Sequence, residues 1–470
     1  MELSKLHKDS ASWTFLSIIM LGIFLRFFRL GTSSLWLDEF LNFFDATHPF
    51  REMHRVILAS PPLFHYVVRC FYLVFGKNDF WLRFPSALFG SISVGILFMV
   101  INEFSDRQTA LWGTFLYAVS PMSILYSQEL RMYSLLPLLA LVALYFWELA
   151  MREDKLHDWA LFTIFALAGL YTHNWFPFLV LSLGICSLGG WVQRGFFSRR
   201  GVASFFIVLI FYVPWLPVLF DQMKKPVFGH MHMAGFKDLL ETMYAFDGIK
   251  VYSGDSWVGL GTDARALFVL LSVGLFVYGL FQNKLILRLT VAGLVLPLAF
   301  TFLISKYYRP IYFGGRYTVM CLPAYFLVIS QAFTSNGSLR AQRFCKFFGI
   351  LWISCNLFVL SRYYFHYQKA PWKTMAQWMN ENSSSNDFIM TSALEYSGLA
   401  FDYYPLGLER LSDLKSFDNK SCVFMPVPNI GLKAVEESLP KDVFIQTSKN
   451  FPEVTILILG TEKSTFRVKL

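Results

Sequence analysis

Residues 12–30 read SWTFLSIIMLGIFLRFFRL, and the run Ser34-Leu35-Trp36-Leu37-Asp38-Glu39 follows them after three residues. The first stretch is apolar over the length a helix needs to cross the hydrocarbon layer, roughly 20 residues at ~1.5 Å each. The second sets two carboxylates where that helix leaves the bilayer. The first pattern then repeats along the chain. Of 470 residues, 55% are hydrophobic and 16% charged, against ~25% charged in a soluble domain. The class is a multi-pass α-helical membrane protein. About eleven segments have the required length: 12–30, 83–103, 109–126, 134–150, 158–172, 175–192, 202–220, 264–281, 288–304, 317–334 and 346–361, the fifth being short.

Lys and Arg are retained on the cytoplasmic side of short connections. With Lys5 and Lys8 inside, alternate loops carry Arg107, Arg152 with Lys155, Arg194 with Arg199 and Arg200, Lys284 with Arg288, and Arg340 with Arg343 and Lys346. That alternation predicts an inner-membrane protein whose C-terminus is on the periplasmic or extracellular side. The formal charge of +9 is then a matter of topology, and no nucleic-acid partner is expected. Leu25-Arg26-Phe27-Phe28-Arg29 follows the first apolar run where a small-residue cleavage site would stand, so that run reads as a retained span.

The first outer loop, 31–82, is more than a connector. Ser34 is a candidate N-cap, after which Leu37, Phe40, Leu41 and Phe44 recur at helical spacing opposite Asp38, Asn42 and Asp45. A second element opens at Ser60-Pro61-Pro62 and stops at Gly76. About 15 residues of helix reach ~22 Å, so both elements are expected to lie in the interface, the second with His65, Arg69 and Tyr72 on its wet side. A short hairpin of two membrane helices is the alternative. The second outer loop carries Tyr126-Ser127-Gln128-Glu129-Leu130-Arg131-Met132-Tyr133. Either charge at mid-bilayer costs ~2.5–3.5 kcal/mol, which assigns both to the surface or to a polar cavity. Later outer loops add Tyr171-Thr172-His173-Asn174, then Lys306, Arg309 and Gly314-Gly315-Arg316-Tyr317. Carboxylates, a histidine and phosphate-capable cations therefore gather on one face.

These residues resemble the GT-C membrane glycosyltransferases of the family 39 type, which include protein O-mannosyltransferases and lipid A aminoarabinose transferases. The resemblance is carried by Trp36-Leu37-Asp38-Glu39, Ser60-Pro61-Pro62-Leu63, Leu82 to Gly90, Ser120-Pro121, Tyr126 to Glu129, Arg131-Met132-Tyr133, Tyr171-Thr172-His173 and Arg316-Tyr317. Ser60 and Asn174 depart from the pattern. The resemblance implies transfer of a hexose or pentose from a polyprenyl-phosphate donor to a lipid, glycan or protein acceptor at the outer membrane face, with inversion. By motif position Asp38 is then the general base, with Glu39 second, and a first-turn position favours its ionised form. Arg131, Arg316, His173, Lys306 and Tyr133 are the donor-phosphate candidates. Some relatives imply a divalent metal between a first-loop and a second-loop carboxylate, here Asp38 and Glu129, a weak signal on its own. A transporter or lipid flippase without transferase activity is the alternative function, since intramembrane prolines such as Pro121 and Pro297 are common there.

Five cysteines fall in or beside apolar segments and Cys422 is alone in the terminal region, so no disulfide framework is expected. His230 and His232 read as loop residues. From Ser361 the composition turns polar. Residues 1–361 form the membrane domain and 362–470 a small α/β domain outside it, with a helix from Pro371, strands at 388–390, 422–425, 443–445 and 454–459, and a helix over 432–439. That domain either guides the acceptor or merely stabilises the chain.

Overall fold

The computed structural model describes residues 2–56, 60–195, 197–225, 232–253, 256–334, 338–366, 370–384, 386–391, 397–411, 422–428, 439, 443–451 and 454–460. The chain divides into two compact units, Met1–Leu30 with Asp45–His366, and Gly31–Phe44 with Tyr367–Leu470. Helices α1 (Glu2–Phe27), α2 (Leu37–Thr47), α3 (Phe50–Val56), α4 (Leu63–Phe75), α5 (Asp79–Phe104), α6 (Arg107–Ala118), α7 (Pro121–Ser127), α8 (Leu135–Glu153), α9 (Leu156–Leu170) and α10 (Phe176–Arg194) follow in order. Then come α11 (Arg199–Tyr212), α12 (Leu216–Lys224), α13 (Phe236–Phe246), an antiparallel hairpin of β1 (Lys250–Ser253) and β2 (Ser256–Gly259), α14 (Thr262–Leu280), α15 (Lys284–Thr290), α16 (Leu296–Tyr307), α17 (Leu322–Thr334) and α18 (Leu339–Phe365).

Among the described residues, seven helical stretches are long and apolar enough to cross a membrane: Asp79–Phe104, Leu135–Glu153, Phe176–Arg194, Arg199–Lys224, Lys284–Tyr307, Tyr317–Thr334 and Leu339–Phe365. The expected spans at 12–30, 158–172 and 264–281 appear as shorter apolar helices. The expected span 109–126 is broken into α6 and α7. Pro121 cannot donate to the Tyr117 carbonyl, and its ring would press on it. The buried Arg26 guanidinium enters this break, donating to Ala118 O at 3.2 Å, Tyr117 O at 3.5 Å and Ser123 Oγ at 2.7 Å. The Ala118 carbonyl at the end of α6 thus finds its donor in a side chain of α1.

Contacts join the loops in two sets. At one end Arg107 reaches Ser12 Oγ, Asn283 donates to Phe104 O, Arg152 and Arg288 both meet Glu148, Arg194 bonds Met151 O, and Thr109 meets Thr334. These are the connections that the charge bias assigns to one side. At the other end Gln128 Nε2 donates to Phe28 O at 2.8 Å, Ser86 Oγ to Arg131 O at 3.1 Å and Arg83 to Leu30 O at 3.3 Å. The chain therefore leaves α1 and enters α5 at the same end, and the 13 residues of α4, at ~1.5 Å each, fall short of a ~30 Å crossing. Its polar face is only partly wet, with Arg69 and Tyr72 half-buried. His65 is 1% exposed and lies 3.6 Å from Asp45, while Arg69 donates to Ala46 O and Thr47 O and caps the end of α2.

In the second unit α19 (Trp372–Asn382) and α20 (Ser397–Tyr403) accompany a five-stranded sheet. Its strands are β3 (Phe388–Ile389), β4 (Glu409–Arg410), β5 (Val423–Pro428), β6 (Phe444–Asn450) and β7 (Val454–Gly460), in the spatial order β4-β3-β5-β7-β6. β3 pairs in parallel with β4 and β5, whereas β7 runs antiparallel to β5 and β6. Val423, Met425, Val427, Val443, Leu457 and Leu459 form its core. Trp372, Met375, Ala376 and Met379 are buried along one side of α19, worth ~1.5–3 kcal/mol for each large side chain. The helix expected over 432–439 lies outside the described residues except Leu439, which packs on the core.

Candidate active site

In the membrane unit a short non-helical stretch between α7 and α8 carries Glu129, Arg131 and Tyr133. It is fixed on several sides. Gln128 caps the carbonyls of Leu25, Arg26 and Phe28, Ser86 holds Arg131 O, and the Arg131 N–H donates to Glu129 O at 2.7 Å. Tyr126 donates to Gly315 O and so ties this stretch to the loop bearing Arg316. That loop requires glycine at 314, where a Cβ would fall 2.6 Å from Asp238 O and 2.7 Å from Thr242 Oγ1. Ser305 Oγ takes the N–H groups of Ile311 and Tyr312 at 3.1 Å each.

Two guanidinium groups meet one phenol ring as a result. Arg131 lies 5.5 Å and Arg316 5.8 Å from the centroid of Tyr133, within cation–π range. The His173 ring is 6.1 Å from Tyr133 and 5.2 Å from Tyr317. Its Nδ1 accepts the Trp175 N–H at 3.1 Å, which puts the proton of the neutral ring on Nε2. Burial, and secondarily the charge of Arg131, holds the His173 pKa down to about 3. Two cations and one neutral N–H donor thus line a mostly buried niche, an arrangement suited to phosphate oxygens. Glu129 is fully buried beside it in sequence. Lys306 is exposed at the end of α16 and stands over Tyr307 at 5.3 Å, outside the group. Asn174 bridges Gln222 Oε1 at 2.7 Å and Trp215 Nε1 at 3.1 Å, so its amide pins the α11–α12 junction.

The acidic pair belongs to the other unit. Ser34 is not the N-cap of α2. The Trp36 carbonyl accepts the first helical bonds, and Glu39 Oε2 reaches back to the Trp36 N–H at 3.2 Å, one half of a capping box. Glu39 is fully buried and Asp38 half-buried, both in the first turn. Capping occupies Glu39, while Asp38 keeps access to solvent. Asp38 and Glu129 fall in different units, and among the described residues no group of three or more His, Cys, Asp or Glu could hold a metal ion.

Two features of the membrane unit had no signal in the sequence. Arg26 reads there only as a topological residue, because its partners lie about 90 to 100 positions away. An apolar cavity of about 680 Å³ is bounded by α10, α11 and α12, with Trp191 and Tyr212 in its wall and Leu170, at the end of α9 just before Tyr171-Thr172-His173, among its lining. The Tyr212 hydroxyl is buried there with no hydrogen-bond partner among the described residues.

Residues 59–218, about a third of the chain, match the family described as dolichyl-phosphate-mannose-protein mannosyltransferase. The Bacillus subtilis protein YkcB is 22% identical over 263 residues, 51% of this chain and 36% of that protein, so the match spans only about a third of the relative's length. The apo structure of ArnT from Cupriavidus metallidurans superposes with a TM-score of 0.60 at 10% identity, covering 96% of this chain and 98% of that one. The same protein bound to undecaprenyl phosphate gives 0.58 at 11% identity, covering 94% and 97%. The apo oligosaccharyltransferase of Archaeoglobus fulgidus gives 0.53 at 11% identity over 87% and 65%. At these identities the likeness is one of fold.

Proposed function

We propose, from the premise that this chain is a multi-pass membrane protein of the GT-C glycosyltransferase fold, that it moves a hexose or pentose from a polyprenyl-phosphate carrier to a hydroxyl-bearing lipid, glycan or protein acceptor. The reading rests chiefly on the niche in which Arg131 and Arg316 meet Tyr133 beside a neutral His173. Two arginines suit a phosphate leaving group, because planar forks can hold its oxygens as charge develops. The active face and C-terminus are assigned to the periplasmic or extracellular side by the charge bias.

In the proposed reaction the acceptor oxygen attacks the anomeric carbon as the bond from that carbon to the phosphate oxygen breaks. The electron pair leaves with the carrier phosphate, whose charge Arg131, Arg316 and the His173 Nε2–H stabilise. Asp38 accepts the acceptor's proton, and one displacement inverts the anomeric carbon. Glu39, engaged with the Trp36 N–H, serves the geometry of the turn. The cavity bounded by α10, α11 and α12 is apolar enough to take part of the carrier's chain. Lys306 has no assigned contact to the phosphate in this scheme.

Full-length protein in lipid nanodiscs, given mannose, glucose and arabinose on undecaprenyl phosphate together with a membrane lipid extract, tests this by release of the carrier phosphate. Arg131→Gln and Arg316→Gln are each expected to lose about 10²–10³ in turnover, and Asp38→Asn about 10²–10⁴. Wild-type turnover in either arginine variant removes the phosphate assignment. Flipping of the intact donor without release favours a transporter.

A further inference from the structure

The acid-bearing segment Gly31–Phe44 is grouped with the C-terminal residues of the chain. Three kinds of contact hold it there. The Leu35 N–H donates to the hydroxyl of Tyr404, 369 residues away, at 3.1 Å. The Lys373 N–H donates to Ser34 Oγ at 3.1 Å. The rings of Phe40 and Phe43 lie against those of Tyr403 and Tyr404, with centroids 4.9 Å apart for Phe43 and Tyr403, and 5.7 and 6.2 Å for Phe40 with Tyr403 and Tyr404.

Each contact has a local reason. α19 starts after Pro371, which has no side-chain oxygen to cap the first amides, and Ser34 supplies one. Tyr404 accepts the amide just before the N-cap of α2, while Glu39 takes the amide of the N-cap itself. Leu35 and Phe40 are fully buried on either side of Asp38, which stays half-buried. The chain is therefore gripped immediately before the acid and again within one turn after it. A domain that only added stability would not need to fix both flanks of that residue.

We propose that the C-terminal unit is a positioning element for the acidic pair, with Tyr404 and Ser34 setting where α2 begins and which way its first turn presents Asp38. This rests on the reading of Asp38 as the base. Neither Tyr404 nor Ser34 acts on substrate. Tyr404→Phe keeps the ring and removes the acceptor for Leu35, and Ser34→Ala removes the cap of α19. Displacements on the scale of 1 Å at a reacting group cost up to ~10²-fold in rate.

The test compares full-length wild type, Tyr404→Phe, Ser34→Ala, Ser34→Thr and Asp38→Asn in nanodiscs. One readout is amide hydrogen exchange over residues 31–44. The other is carrier-phosphate release from the most active donor of the undecaprenyl-phosphate panel, resolved into kcat and KM. Tyr404→Phe and Ser34→Ala are expected to exchange faster over 31–44 and to lose about tenfold in kcat at unchanged donor KM. Ser34→Thr is expected to restore both. Unchanged exchange over 31–44 in both Tyr404→Phe and Ser34→Ala overturns the proposal, and so does faster exchange with wild-type kcat. Full activity in Asp38→Asn instead removes the base assignment, whatever the exchange shows, so the two failures are distinguishable.

Discussion

At the scale of single residues, similar side chains are separated by what surrounds them. Glu39 and Asp38 are adjacent, yet Glu39 is fully buried and bonded to the Trp36 N–H whereas Asp38 retains solvent access. Lys306 and Arg316 both read as phosphate candidates, and only Arg316 meets Tyr133. His173 is held neutral by burial, with a pKa near 3. Its unfolded counterpart takes up a proton near 6.5, so the unfolded state binds more protons between those values. The stability tied to this group is complete above about pH 6.5 and declines as the pH falls toward 3. Thermal unfolding in detergent is therefore expected to drop less between pH 6.5 and 4 for His173→Gln than for wild type. Equal slopes would show that His173 is not held neutral. Activity between pH 6 and 8 should carry no limb from this ring.

At the scale of elements, the break between α6 and α7 organises the site. Pro121 makes the break, Arg26 fills it, and the stretch after α7 carries Arg131 and Tyr133. At its other end α7 is crossed closely by α5 at Gly90, where a Cβ would lie 1.9 Å from Ser127 Oγ and 2.8 Å from Ser127 Cβ. Overpacking of this kind costs ~1–3 kcal/mol. Gly90→Ala is expected to lower the thermal midpoint in detergent and, by displacing α7, the rate of carrier-phosphate release. A midpoint unchanged from wild type would mean that the crossing relaxes freely. The α4 helix shows how far periodicity reaches. Its length and its failure to cross follow from the pattern, but its polar face was expected in water. The structure turns Arg69 onto the end of α2, because carbonyls at a helix C-terminus require donors that a neighbouring helix can supply, and sets His65 beside the Asp45 carboxylate.

At the scale of the whole molecule, two sets of loops stand at opposite ends of the spanning helices of the membrane unit. Lys155 and Lys306 are exposed and belong to opposite sets. On a Cys70→Ser background, Lys155→Cys and Lys306→Cys are expected to react with a membrane-impermeant maleimide from opposite sides, Lys306→Cys from outside in intact cells. Labelling of both from one side would break the topology. Legible in the sequence alone were the membrane class, the places of the apolar segments, the loops that share a side, and strands at 388–390, 422–425, 443–445 and 454–459, which overlap β3, β5, β6 and β7. Hydropathy, charge bias and strand propensity act over one turn or one loop, so they are written locally. Only the tertiary structure decided that Gly31–Phe44 is grouped with residues after Tyr367 and that Arg131, Arg316 and His173 share one tyrosine. It also placed Arg26 in the gap between α6 and α7. Such groupings depend on which faces bury together and which orphaned polar groups find donors, and no local pattern records a partner hundreds of residues away.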